Sequence, residues 1–301
     1  MTGSLRTLLT NIIDYAGMFP PAQLPMDEAI RNYARYRNEP DHWMLGKFIC
    51  PAARLSMLSP FVDELFRDGP PLAISALGRG ERDEASFLIG LKQDLMDIAS
   101  FCERHQARVS VLVLETKIPT TSVELIAAAR TVLNSSNQPE LQVFYEQPAP
   151  GALAAIAEVD NRVGHKIRCG GVTPDAFPTP EALAGMIVSG VGAKVPLKFT
   201  AGLHHPVRRF DPGVQAMMFG FLNVFCAGIL AVTARPLGDV VQQILADESV
   251  EHFHFDDDGM SWRELHATVP QIEAARRSHV ISFGSCSFDE PRDDLHSLGW
   301  M

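Results

Sequence analysis

Paired cysteines are missing from this 301-residue chain: Cys50, Cys102, Cys169, Cys226 and Cys286 are odd in number and widely scattered, with no C-x-x-C pair and no zinc-finger spacing. That excludes a disulfide framework or a structural zinc module and fits a reduced, cytoplasmic protein. Positive charge is also short, since 26 Lys and Arg stand against 36 Asp and Glu, a formal net charge of -10. A surface of that sign argues against nucleic acid or an anionic membrane as the main partner, although it leaves room for a local basic pocket. No secretory signal is read at the start, where Met1 to Arg6 runs into Asn11 and Asp14 without a long apolar core or a small-residue cleavage site. Neither a fixed-period repeat nor a low-complexity tract is visible. Charge is absent from one stretch, 213–234, which is long enough to span a bilayer. Its Gln215, Asn223 and Thr233 favour a buried helix or a subunit-interface helix, through which a homo-oligomer would form.

What is present is an ordinary globular balance, 46% apolar and 21% charged, with ample core and no internal boundary. Strand-length apolar runs occur at 44–50, 72–77, 109–116, 141–147, 166–170, 197–201, 253–256 and 280–284. Helical stretches fall between them at 83–105, 122–133, 151–159, 180–189, 213–234 and 270–277. Strands alternating with helices imply parallel pairing through right-handed crossovers, and eight of them imply an α/β fold, a closed (β/α)8 TIM-type barrel. Helices over 4–16 and 26–37 precede the first run. The expected organisation is therefore one domain, with an N-terminal helical extension over 1–40 and the barrel over 41–301. The run at 253–256 is short and ends in the polar turn Asp256-Asp257-Asp258-Gly259; as a surface hairpin it would leave an open sheet or an incomplete barrel.

Reactive groups of such barrels lie at the carboxyl ends of the strands. Two runs place charges inside otherwise buried strands: Lys166-Ile167-Arg168-Cys169-Gly170-Gly171 and Pro196-Leu197-Lys198-Phe199-Thr200-Ala201-Gly202. By strand alternation Lys166 and Arg168 share one face, as do Lys198 and Thr200. Charge in an enclosed interior is costly unless it is paired, ligand-bound or shifted in pKa, so the two runs mark a candidate site. Lys198 is read as an amine nucleophile or base whose pKa is lowered by desolvation and by Lys166 and Arg168. Lys166 is either its depressor or the nucleophile itself, and the alternative for Lys198 is a lysine kept charged by Glu115 or Glu146. Glu115 continues the face of Val109, Val111 and Val113 and, with His204, is a candidate proton carrier. Arg168, Gly170, Gly171, Thr200, His205, Glu146, Ser285 and Ser287 are candidate substrate-binding residues, the Gly-Gly pair and the serine-rich 285–287 turn as anion-binding nests. A divalent metal held by Glu115, Glu146, His204 and His205 is the competing reading, although no compact ligand spacing supports it.

The run Tyr145-Glu146-Gln147-Pro148, followed by 166–171, locally resembles strand ends of the enolase superfamily. Lys198-Phe199-Thr200-Ala201-Gly202 is similar to the sixth strand of Schiff-base aldolase barrels, where the reactive lysine precedes a Thr/Gly-rich turn. The second resemblance implies amine chemistry on a carbonyl compound. The expectations are then a lyase or isomerase acting on a small anionic carbonyl, sugar-acid or sugar-phosphate metabolite; a divalent-metal lyase, isomerase or hydrolase; or a non-catalytic metabolite-binding barrel. A Lys198→Met variant is expected to remain folded, to lose turnover and even to gain stability, because a buried charge is removed.

Overall fold

The computed structural model describes residues 1–120, 122–136, 138, 140–146 and 163–301. Helix α1 (Gly3–Leu9) leads to strand β1 (Ile13–Tyr15), and α2 (Met26–Tyr36) to β2 (Leu45–Pro51). Then come α3 (Ser59–Leu65), β3 (Leu72–Leu77), α4 (Glu84–His105), β4 (Val109–Lys117), α5 (Val123–Asn134), β5 (Gln142–Glu146), β6 (Val163–Arg168), α6 (Pro180–Gly192) and β7 (Leu197–Thr200). A hairpin of β8 (Arg209–Asp211) and β9 (Ala216–Met218) precedes α7 (Phe221–Thr233) and α8 (Gly238–Ala246). The antiparallel strands β10 (Phe253–Phe255), β11 (Gly259–Trp262) and β12 (Leu265–Thr268) are followed by α9 (Val269–Ser278), β13 (Val280–Ser285) and α10 (Asp289–Ser297).

Strands β1 to β7 and β13 close into a parallel barrel in that order, β13 pairing with both β7 and β1. The α/β (β/α)8 architecture is therefore present. The helices begin where the sequence supplies caps: the Asp83 side chain accepts from Ser86 N, Ser122 from Leu125 N and Thr179 from Ala182 N, while Thr268 and Gln271 form a capping box.

The expected strand at 253–256 is instead part of the three-stranded sheet beside the barrel. The eighth barrel strand is β1, inside the stretch expected to be helical over 4–16. Three residues carry no usable periodicity, and Ile13–Tyr15 are strand because β2 and β13 flank them on both sides. The barrel thus begins at residue 13 rather than 41, with α1 and α2 as its helical N-terminal elements. Lys166 lies on the sixth barrel strand and Lys198 on the seventh. The expected helix at 151–159 lies outside the described residues.

The uncharged 213–234 stretch contains a hairpin end and α7, which is buried from Phe221 to Ala231. The Phe221 ring stacks on Phe283 at 5.5 Å, and Phe225 packs edge-on against Phe199. Asn223 is consumed internally, donating to the Ile244 and Asp247 carbonyls and accepting from Arg208 N. A helix apolar on every side is a core helix. Of the two expected settings, α7 takes the buried one, since the chain's own elements occupy its surface. Among the described residues no helix is long and apolar enough to cross a membrane.

At the seam, Arg276 from α9 donates to the carbonyls of Leu8 and Thr10 at 2.8 and 3.0 Å, and to those of Val280 and Ile281. One guanidinium thereby ties the chain before β1 to β13.

Candidate active site

The interior of a (β/α)8 barrel is ordinarily filled by branched apolar side chains. Here its middle is ionic. Paired residues on adjacent strands face the same way, and the register sets Glu146 beside Lys166 and Lys166 beside Lys198. Lys198 Nζ lies 2.7 Å from Glu115 Oε1 and against Asp14 Oδ2, with the Ser75 hydroxyl at 3.5 Å. Lys166 Nζ lies 3.0 Å from Glu115 Oε2 and 2.9 Å from Glu146 Oε2. Arg168 reaches the other oxygen of Glu146 at 3.4 Å. Charges alternate along this chain, from Asp14 through Lys198, Glu115, Lys166 and Glu146 to Arg168, so each interior carboxylate meets a cation. Hydroxyls complete the set: Ser75 donates to Glu115 at 2.6 Å, and Ser282 to Asp14 at 2.7 Å.

Glu115 reaches the interior by a route the alternation rule misses. Val111 pairs with Ile74 and Val113 with Ser75, so the register slips by one residue of β4 at Leu112. Ile74 and Ser75 face opposite ways, and therefore so do Val111 and Val113. Val109 and Val111 join the outer hydrophobic core, whereas Glu115 turns inward to Ser75 and the lysines. The expected common face of Val109, Val111 and Glu115 is broken by that bulge.

The electrostatics reverse the expected tuning of Lys198. Burial alone would lower its pKa, but Asp14 and Glu115 outweigh burial and hold it above the ordinary lysine value. The same balance, with Glu115 and Glu146 as partners, raises Lys166. Burial opposes the charged form of all three carboxylates, yet the lysines depress them: Asp14 chiefly through Lys198, Glu115 through Lys198 and Lys166, and Glu146 through Lys166. Both lysines are ammonium ions at rest. Lys166 and Arg168 do not depress Lys198, because the carboxylates between them intervene.

A cavity of about 450 Å³ opens at the carboxyl ends of the barrel strands. Of the expected site residues it is lined by Glu115, Glu146, Lys166, Arg168, Gly171, Thr200, His204 and Ser285. Lys198, 1% exposed, is not in the lining and lies beneath Glu115. Gly170 packs under the rim: an added Cβ would come within 2.4 Å of the Phe177 ring. Above it, Ala201 and Gly202 both take the left-handed conformation, at φ 60° and 68°, and Gly202 sits against the Gly170 Cα. His204 lines the cavity with its Nδ1 2.8 Å from Glu290. His205 is turned away, its Nδ1 2.6 Å from Asp294 of α10. Ser287 is likewise outside the lining; its hydroxyl accepts from Glu290 N and its own N–H donates to Ser285, which makes it a start signal for α10.

The expected metal set is not assembled. Among the described residues no three His, Cys, Asp or Glu side chains are gathered as ligands. Glu115 and Glu146 are already neutralised by lysines, while His204 and His205 pair with carboxylates of α10.

Sequence reasoning missed Asp14, Ser75 and Ser282 in the floor, and Arg79 and Lys117 at the rim. An aspartate inside the apolar run Ile12-Ile13-Asp14-Tyr15 was the available signal for the first. The loop after β1 crosses the mouth of this cavity rather than the barrel bottom, bringing Phe19, Pro20 and Pro21 into the lining. Compared with models of known protein families and with curated proteins, the chain matches none.

Proposed function

We propose that this barrel is an enzyme of the lyase or isomerase type that binds a small anionic carbonyl compound and reacts with it through Lys166. The observation that carries the reading is the clamp of Glu115 and Glu146 on Lys166, a lysine that lines the mouth cavity. A volume of about 450 Å³ falls in the range of small-metabolite sites. Lys198 is saturated by two carboxylates and lies out of a ligand's reach, so its task is to fix Glu115.

A raised pKa does not conflict with amine chemistry. An ammonium and a carbonyl condense to a protonated imine and water, and the nitrogen carries one positive charge before and after. Carboxylates that stabilise the ammonium therefore stabilise the iminium as well. The reaction needs a transient free amine, and Glu146 or Glu115 is within reach to take the proton as Nζ attacks the carbonyl carbon. That proton then leaves with the departing hydroxyl as water. Cleavage of the adjacent C–C or C–H bond sends its electron pair into the iminium, and His204 on the lining is placed to move the remaining proton. Arg168, with its side chain 42% exposed, is available to the substrate anion.

The test is reduction with borohydride in the presence of pyruvate, followed by intact-protein mass measurement. The expected result is one reduced adduct per chain in the wild type and none in Lys166→Met. An adduct that persists in a folded Lys166→Met variant overturns the assignment.

A further inference from the structure

The lining of the mouth cavity is divided by charge, and the division follows the strand order. On the arc from β3 to β6 stand Arg79, Glu115, Lys117, Glu146, Lys166 and Arg168. Lys117, Lys166 and Arg168 face two carboxylates there, an excess of one cation on this wall in a chain whose formal charge is -10, while the charge of Arg79 is offset by its own partners. Arg79 is held from behind by Asp94 and Asp97, and Arg168 is held only at 3.4 Å. Lys117 makes no ion pair among the described residues. The opposite arc, from β13 through β1 to β2, contributes Ala16, Phe19, Pro20, Ile49, Ser285 and Cys286 and no charged side chain. In an eight-stranded barrel β1 faces β5 and β2 faces β6, so the uncharged wall looks across the opening at the cationic one. Lys166 lies at the floor of the charged half.

From this polarity we infer that the substrate is an amphipathic oxo acid: a carboxylate next to the reacting carbonyl, and an uncharged, largely apolar tail. The carboxylate is held by Arg168 and Lys117, the carbonyl stands over Lys166, and the tail crosses to Phe19 and Ile49. A sugar phosphate fits this cavity poorly, because its hydroxyls would face a wall that offers few hydrogen-bonding side chains. An apolar tail displaces water from Phe19, Pro20 and Ile49 and brings no polar group of its own that would need a partner there. The inference rests on the Lys166 reading and adds the substrate class to it.

The experiment compares half-saturating concentrations for borohydride-trapped adduct with pyruvate, 2-oxobutanoate, 4-methyl-2-oxopentanoate and ribose 5-phosphate. The half-saturating concentration is expected to fall up to roughly fourfold per added methylene, with ribose 5-phosphate weakest. Phe19→Ala, a change in a partly exposed mouth loop, should flatten the series, and Lys117→Met should weaken every oxo acid by a similar factor. Adduct formation with no dependence on tail length, or with ribose 5-phosphate preferred, overturns this inference while leaving Lys166 as the reacting amine. No adduct with any of the four compounds overturns both.

Discussion

Replacing Lys198 by methionine removes the one cation that bridges two buried carboxylates, Asp14 at 0% and Glu115 at 1% exposure. Glu115 keeps Lys166 and Ser75, whereas Asp14 retains the Ser282 hydroxyl, the Lys47 N–H at 2.6 Å and the weaker pull of the Lys47 and Arg276 charges. Breaking a buried pair by removing one partner costs about 3–5 kcal/mol, which corresponds to a fall in Tm on the order of 10 °C. The expected gain in stability is thus reversed, because the charge removed is the one that the remaining charges require. The pH dependence follows from the pKa directions. In the wild type the raised Lys198 contributes below the unfolded lysine value, roughly 10.4, and the depressed Asp14 and Glu115 contribute above the unfolded carboxyl values, roughly 4. Wild-type stability from this network is therefore flat between those limits, falling in acid as the carboxylates protonate and in strong base as Lys198 deprotonates. In Lys198→Met, burial leaves Asp14 with a raised pKa, so stability declines as pH rises through the carboxyl range. Urea unfolding followed by circular dichroism at pH 5 and pH 8 measures this: the variant should be less stable than wild type at both, and by more at pH 8. Asp14→Asn combined with Lys198→Met should recover part of the loss. A single variant as stable as wild type at pH 8 would refute the ionic network.

The remaining outcomes are independent of one another. Cys50, Cys169 and Cys226 are buried, with thiol pKa values pushed up by burial, so iodoacetamide should leave them unmodified in native protein. Slow labelling is confined to Cys102 and Cys286, and pyruvate should protect Cys286, which lines the cavity; peptide mapping reads both results. Gly202→Ala places a Cβ at φ 68° and within 2.8 Å of the Phe177 ring, and should cost about 1–3 kcal/mol in urea unfolding. Treatment with a chelator should leave adduct formation with pyruvate unchanged, because Glu115 and Glu146 serve lysines; loss of the adduct, restored by a divalent ion, would count against that assignment.

The fold class was legible because the long elements carry their own signals. Runs such as 72–77 and 197–201 are bounded by turns and separated by capped helices, and strand alternation placed Lys166 and Lys198 inward correctly. What escaped lies in short or irregular pieces. β1 spans three residues, and its strand state comes from neighbours far away in sequence, so Asp14, on which Lys198 depends, was hidden with it. The extra residue at Leu112 flips Glu115 to the other face, a change that no periodicity argument detects. The sign of the Lys198 shift turned on two carboxylates contributed by different strands. Residue type and spacing could place charges together, but could not show which one stands between the lysines. His205 and Ser287 looked like site residues because they adjoin residues that line the cavity; the His205 partner Asp294 is reached only by the folded tail, whereas Ser287 is taken up locally by Glu290 N.

The most direct test is to locate the reduced adduct by tandem mass spectrometry of peptides from wild-type protein treated with 4-methyl-2-oxopentanoate and borohydride. Modification is expected at Lys166, with Lys198 unmodified. An adduct on Lys198 would contradict the Lys166 reading, since that amine would then have to leave Asp14 and Glu115 to meet a ligand.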